Sequence, residues 1–383
     1  MAYLWQNAGW PDFFWDNSKL LNPLLELHSN QGILEGQMRL MGFSVQSESA
    51  INRFTQEIKN SFEIEGVNLD ESSLRSSVAR TLGLENIILA KGGQLDKNRP
   101  HINSIVEVIT DAVHNCNAPL SQERLFSWHK KLFGNPSGNE SFNGLYKIHV
   151  GEYRTDCNGP MRVISGFGRN EQVHFEAPPA GILQKEMARF FDWFNFDSEE
   201  QNLSSVIKSA VAHLYFVELH PFEDGNGRLA RVIADMALCR GDKNSAHTDH
   251  LYSMSSQLCR ERKEYYEMLH YIETSGSLDI TQWLLWYSGC MNRAVLSVIS
   301  ELEQTQKRRE FWAKADSLGI NERQRKILGM LLNDFEGNLT SQKYAKICKC
   351  SQDTANRDIS RLIKADILAK TEAGGRSTCY KLK

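Results

Sequence analysis

The sequence predicts a mainly α-helical protein with one small β-hairpin flap in its middle and a winged helix-turn-helix at its C-terminus. Three observations carry that prediction. Apolar residues recur at helical spacing through most of the 383 residues. One stretch, Gly151 to Pro179, drops that period, gathers glycines and prolines, and holds two strand-like runs, MRVIS and QVHFE. Past Gly319 the helices shorten, and the chain closes on EAGGRSTCYKL, which reads as a two-stranded turn. The content of 41% hydrophobic, 24% charged and 10% aromatic residues supplies a sizeable core and excludes a disordered or low-complexity chain.

Four segments follow. Residues 1–95 open with Trp5, Trp10, Phe13, Phe14 and Trp15, read as packing anchors, and continue with helical spacing in Leu24, Leu25 and Leu27 and again in Ile33, Leu34, Met38 and Met41. The Gly92-Gly93 turn and Pro100 close this helical cap. Residues 96–290 hold the hairpin and further helices. Among them VIKSAVAHLYFVEL is apolar almost without interruption; at 14 residues it is a buried core helix, since a membrane span needs about 20. HPFEDGNGRLAR follows it, and the helical run VIADMALC comes next.

Residues 281–320 read as a long charged connecting helix. Residues 321–383 give RQRKILGMLL, SQKYAKICKC and SQDTANRDISRLIKADIL, the last opening with Ser351 as N-cap. That third helix would bring Arg357, Arg361 and Lys364 to a major groove, with Arg376 on the wing near phosphate. A wing used for protein contact or dimerisation is the alternative. Charge favours DNA: residues 321–383 hold 13 Lys and Arg against 7 Asp and Glu, whereas the whole chain carries -3.

Eight cysteines are scattered without a C-x-x-C pair, which fits reduced thiols. The start, MAYLWQNAGWPDFFWD, lacks the basic opening and apolar stretch of a secretory leader, and no membrane span is expected. A cytoplasmic protein is the expectation, with no membrane partner.

HPFEDGNGRLAR, residues 220–231, carries the chemistry. His220 emerges at the end of the core helix. Gly225 and Gly227 let main-chain N–H groups turn toward one point at the start of the next helix, a nest for an anion. Asn226 adds a side-chain donor, Arg228 and Arg231 lie three apart with two guanidinium forks, and Asp224 offers a carboxylate suited to Mg2+. Phe222 would face inward and anchor the loop. Donors, cations and a metal ligand converging on one point suit a polyphosphate, and a neutral imidazole beside them would take a proton from an attacking hydroxyl.

This segment matches in full the H-P-F-x-D/E-G-N-G-R-x-x-R signature, and the chain resembles the Fic (Fic/Doc) family over roughly residues 100–290, through LFSWHKKLF, GEYR, Pro178-Pro179 and KEYYEML as well. The resemblance implies a Fic-type helical core that transfers AMP from Mg-ATP to a Tyr, Ser or Thr hydroxyl of a target protein. His220 would be the general base and Asp224 the Mg2+ ligand. Gly225, Asn226, Gly227, Arg228 and Arg231 would hold the phosphates, and Tyr265-Tyr266 would stand near the adenine; unaided, that pair reads as core aromatics. The flap residues Val163, Ile164, Ser165 and Gly166 would pair with an extended target segment.

Upstream, Ser61, Glu65 and Gly66 match the family's inhibitory pattern S/T-x-x-x-E-G/N, against the alternative of an ordinary capped helix. A glutamate reaching the nest would pair with Arg231, take the guanidinium a γ-phosphate needs and spoil the reactive pose. The opening YLWQNAGWPDFFWD also resembles an uncharacterised domain that precedes such cores in bacteria, so a bacterial regulator is expected. Position 273 holds Glu where some relatives carry an amide, which leaves nucleotide preference open. The same site would equally serve removal of AMP by an activated water, and a nucleotide-sensing DNA-binding regulator is a further reading. Homodimerisation is also left open.

Overall fold

A computed structural model describes residues 3–90, 92–96, 99–133, 140–143, 146–157, 159–165, 172–196, 204–241, 252–333, 335–371 and 378–383. The chain divides into two compact units, residues 1–299 and 300–383. Among the described residues no helix is long and apolar enough to cross a membrane.

The first unit holds α1 (Asn17–Arg39), α2 (Phe43–Ile64), α3 (Glu71–Thr81), α4 (Glu85–Ala90), α5 (Pro100–His114) and α6 (Gln122–Leu132). Their starts are written locally. Asp16, Asp70 and Ser121 each accept a hydrogen bond from a first-turn N–H, and Pro100 opens α5 where a missing N–H costs nothing. Two hairpins follow, β1 (Glu140–Asn143) with β2 (Tyr146–His149), and β3 (Arg162–Ser165) with β4 (Gln172–Glu176). The second is the predicted flap; its register shifts between Val163 and Ile164. The first hairpin has no counterpart in the sequence reading, because four-residue strands are too short for a period of two to stand out.

Next come α7 (Ala180–Asn195), α8 (Ser205–Leu219), α9 (Asn226–Gly241), α10 (Met254–Arg260), α11 (Arg262–Glu273) and α12 (Thr281–Ser317), the last running from the first unit into the second. α8 is buried on every side from Ser209 to Leu219, as an all-round apolar helix must be. It packs against α9, so the turn joining them, residues 220–225, is held at the core. The N-terminal aromatics dock on this core as expected. Trp5 donates to the Glu176 carbonyl (2.8 Å) and Trp10 to Glu186 (3.1 Å), with Trp10 edge-on to Tyr215. Phe14 departs from that role: its ring is 59% exposed, and its backbone makes the contact, pairing with Leu278 and Ile280.

The second unit holds α13 (Glu322–Leu332), β5 (Leu339–Thr340), α14 (Ser341–Cys348), α15 (Gln352–Lys364), β6 (Leu368–Lys370) and β7 (Cys379–Leu382), with antiparallel strand order β5-β7-β6. Ile327, Leu328, Leu339, Tyr344, Ile359 and Leu362 form its core. The Ser351 hydroxyl accepts from the Thr354 N–H, the predicted N-cap. Asp358, 7% exposed, receives Asn321, Arg323 and the Tyr344 hydroxyl, fastening α13 and α14 to α15.

Candidate active site

α8 cannot continue beyond Leu219, because Pro221 has no N–H to donate and disfavours a helical residue before it. His220 therefore closes the helix in the left-handed conformation, φ 46°, its N–H still bonded to the Phe216 carbonyl. Its Nδ1 lies 3.3 Å from the Val217 carbonyl, so the proton belongs on Nδ1 and Nε2 carries the lone pair. Burial pushes the imidazole down to about 4. The Val217 carbonyl opposes that shift, the Arg154 cation adds to it, and the carboxylates of Glu65 and Asp224 oppose it. At neutral pH this is a neutral base.

The loop after it is stapled from within. Phe222 is fully buried, as expected, and the Asn226 side chain both accepts from the Phe222 N–H (3.0 Å) and donates to its carbonyl (2.8 Å). One N–H of its amide is thereby spent on shaping the turn. Gly225 has φ +84°, and a Cβ there would stand 3.1 Å from the Phe133 ring, so only glycine fits. The first hydrogen bond of α9 runs from the Leu229 N–H to the Gly225 carbonyl, leaving the amides before it to point out of the helix end.

Both arginines of the run are buried beside the turn. Arg228, 5% exposed, pairs with Asp224 Oδ1 (3.1 Å) and rests between the rings of Phe62 and Phe133. Arg231, 3% exposed, donates through Nε to the Ser61 hydroxyl (2.9 Å) and through Nη2 to the Ser61 carbonyl (2.7 Å) and Glu65 Oε1 (2.9 Å). Arg228 Nε and Arg231 Nη1 are buried donors with no hydrogen-bond partner among the described residues. The Glu65 carboxylate also lies against Gly227, where a Cβ would fall on its Oε1. Thus the end of α2 delivers an anion to the start of α9, and Gly66 at φ +77° lets the chain turn away beyond it.

Asp224 Oδ1 also accepts from the Gly225 N–H (2.5 Å). No group of three or more His, Cys, Asp or Glu side chains able to hold a metal occurs among the described residues. One half-exposed carboxylate beside unsatisfied cationic donors nonetheless fits a Mg2+ that arrives on a polyphosphate, because Mg2+ keeps most of its shell as water and phosphate oxygen.

The tyrosine pair separates. Tyr265 is buried, its hydroxyl 3.1 Å from His213 Nε2, which is the core role the residues alone suggested. Tyr266 is 41% exposed at the rim, and its hydroxyl donates to the Ile64 carbonyl at the end of α2 (3.3 Å). On the flap, Val163 and Ile164 are exposed and Ser165 pairs with Gln172; Gly166 lies outside the described residues.

Two residues at this site were given no role by the sequence reading. His129 of α6, fully buried and stacked on Phe222, accepts from the Gly151 N–H at Nδ1 (2.9 Å) and so donates from Nε2 to the Asp224 carbonyl (3.0 Å). Arg154 donates to the His220 carbonyl (2.7 Å). They belong to LFSWHKKLF and GEYR, and no local spacing links those runs to the loop some 70 to 90 residues on.

In the second unit Arg357 and Lys364 are exposed on α15. Arg361 is exposed too, but one of its nitrogens is committed to the carbonyls of Leu318 and Gly319, at 3.0 Å each, where it caps the end of α12. Arg376 lies outside the described residues.

Helices α8 and α9 with their glycine-rich turn define a class, and comparison with known proteins gives it a name. Residues 119–238 match the family model for the Fic/DOC family, and residues 3–84 match a domain of unknown function, DUF4172. Over residues 119–238 the chain is similar to the Fic/DOC family. A uridine 5'-monophosphate transferase of Xanthomonas campestris pv. campestris (strain 8004) is 29% identical over 129 residues, 32% of this chain and 22% of that protein. A protein adenylyltransferase Fic of Culex quinquefasciatus is 24% identical over 245 residues, 63% of this chain and 41% of that protein. The chain therefore spans well under half the length of these curated relatives. A crystal structure of a Fic family protein from Desulfovibrio desulfuricans G20 superposes with a TM-score of 0.50 at 19% identity, covering 95% of this chain and 96% of that one, a likeness of fold.

Proposed function

We propose that the protein is a nucleotidyltransferase that moves AMP from Mg-ATP to a Tyr, Ser or Thr hydroxyl of a target protein, and that Glu65 restrains it. The observation that carries this reading is the anion already lodged at the start of α9. A carboxylate lies between Arg231 and Gly227, beside two unsatisfied guanidinium donors and a neutral imidazole. In the reaction, the target hydroxyl oxygen bonds to the α-phosphorus while His220 Nε2 takes its proton, and the bond from the α-phosphorus to the bridging oxygen breaks to release pyrophosphate. Amides before Leu229, with Arg228 and Arg231, hold the phosphates; Asp224 would hold Mg2+, which supplies charge neutralisation. Glu65 competes for Arg231, so nucleotide binds in a pose that does not react.

Glu65→Gly should raise self-labelling with α-32P ATP by at least tenfold, and a silent variant would remove Glu65 from this role. His220→Ala in that background should abolish labelling and leave nucleotide binding intact. The similarity to a uridine 5'-monophosphate transferase makes UTP the first competitor to run beside ATP. Removal of AMP would use the same site for a hydrolysis: a water oxygen bonds to the phosphorus of the AMPylated target, the bond from that phosphorus to the target oxygen breaks, and the oxygen leaves with a proton to give AMP and the free hydroxyl; offering the wild-type chain an AMPylated target decides between them.

A second reading concerns the C-terminal unit as a winged helix. Its α15 exposes Gln352, Asn356, Arg357, Ser360 and Lys364, polar and cationic types suited to base edges and phosphates. DNA is the proposed partner of that face.

A further inference from the structure

Arg154 joins the catalytic turn to the β3–β4 hairpin. Its side chain is 1% exposed, and its donors go to four places. Nε reaches the His220 carbonyl (2.7 Å), Nη2 the Pro178 carbonyl (2.5 Å) and Nη1 Asp156 Oδ1 (3.1 Å), while its backbone N–H reaches the Pro221 carbonyl (3.0 Å). Asp156 in turn accepts from the Ala180 N–H at the start of α7 (2.6 Å). Residues 156 and 178 flank the hairpin, one on the chain entering β3 and the other on the chain leaving β4. One guanidinium therefore clamps both ends of the hairpin to the turn that carries His220.

That turn needs an external hold. His220 is a non-glycine residue at φ 46°, a conformation that persists only where its surroundings impose it. A planar guanidinium supplies several rigidly spaced donors at once, which a single ammonium on a flexible stem does not.

We propose that Arg154 is a positioning residue: it holds His220 in its left-handed turn and keeps the base in register with both ends of the hairpin on which a target segment would dock. The inference rests on the transfer reading above and deepens it. A target strand added to β3 reaches the imidazole at a fixed offset because one side chain ties the two together.

The test uses the full chain with Glu65→Gly as parent, and adds Arg154→Gln or Arg154→Lys. Labelling should fall by on the order of 100-fold in both, the scale expected when a reacting group is misplaced by about 1 Å. Affinity for ATP, measured by calorimetry, should stay at the parent value, because Arg228 and Arg231 are untouched. A second readout, independent of activity, is the titration of the His220 imidazole by NMR. The charged groups facing it are Arg154, Glu65 and Asp224, beside the Val217 carbonyl. Arg154→Gln should move that titration upward by removing a cation, while Arg154→Lys keeps it low and still loses rate. Parent-like labelling in both variants overturns the proposal, and so does ATP affinity that falls in step with labelling in Arg154→Lys. If the parent itself fails to label, the transfer reading falls, and the NMR arm still decides: a His220 titration unmoved by Arg154→Gln overturns the inference, and an upward shift sustains it.

Discussion

The surroundings of the His220 imidazole lower its proton affinity to about 4, so it stays neutral well into acid. Under the proposed transfer that value would set the acid side of the reaction. In the Glu65→Gly variant kcat/KM should hold between pH 7 and 5 and fall only below, because loss of a neighbouring carboxylate lowers the imidazole further. An acid limb at the ordinary histidine value near 6.5 would contradict this environment. Glu273 behaves in the opposite sense. Burial pushes its carboxyl up to about 8, and Glu218 beside it is raised well above the usual range by its own burial and then by Glu273. The folded state thus keeps a proton that the unfolded chain releases near 4.5, so stability is lost as pH rises from 4.5 toward 8. Glu273→Gln should raise the melting temperature above pH 8 and leave it unchanged below about 4.5.

At the scale of elements the decisive contact is between α2 and α10. Glu57, Asn60 and Ser61 lie on one face of α2. Glu57 accepts from the Ser253 hydroxyl (2.7 Å) and the Ser255 N–H (3.0 Å), and Asn60 donates to the Ser256 hydroxyl (2.7 Å). These bonds fix the rotation of α2 that aims Glu65 at Arg231. Removing them should loosen restraint without touching the catalytic groups. Asn60→Ala is expected to cost about 1 kcal/mol in docking, hence raise basal labelling about fivefold, and to add nothing in the Glu65→Gly background. Additive effects in that double-variant cycle would place Asn60 outside the inhibitory device. Gly66→Ala acts at the end of the same helix. At φ +77° an alanine is strained by about 1–2 kcal/mol, so the variant should melt lower and label faster than wild type.

At the scale of the whole molecule, two compact units share α12 and differ in charge. Residues 300–383 carry 17 Lys and Arg against 11 Asp and Glu, whereas residues 1–299 carry 27 against 36. Nonspecific binding to duplex DNA, if it belongs to this chain, should therefore come from the second unit and weaken steeply with salt. Arg357→Ala and Lys364→Ala should each lower the slope of log affinity against log salt by about one. Arg361→Ala is expected to lower the melting temperature as well, since its guanidinium caps α12.

The sequence by itself determined the helical class, the flap hairpin, the Ser351 cap and the loop with its charged run from His220 to Arg231. Each is local: a period, a cap or a turn is written in neighbouring residues, and glycines at 225 and 227 with a proline at 221 leave the backbone few alternatives. Tertiary structure alone decided what those residues meet. It brought Ser61 and Glu65 to Arg231, 170 and 166 residues apart in the chain. It turned the Asn226 amide inward, separated Tyr265 from Tyr266, and placed His129 and Arg154 behind the loop. Contacts at such separation depend on which helix faces pack together, and packing is selected by burial over the whole core, a property no short window of sequence contains.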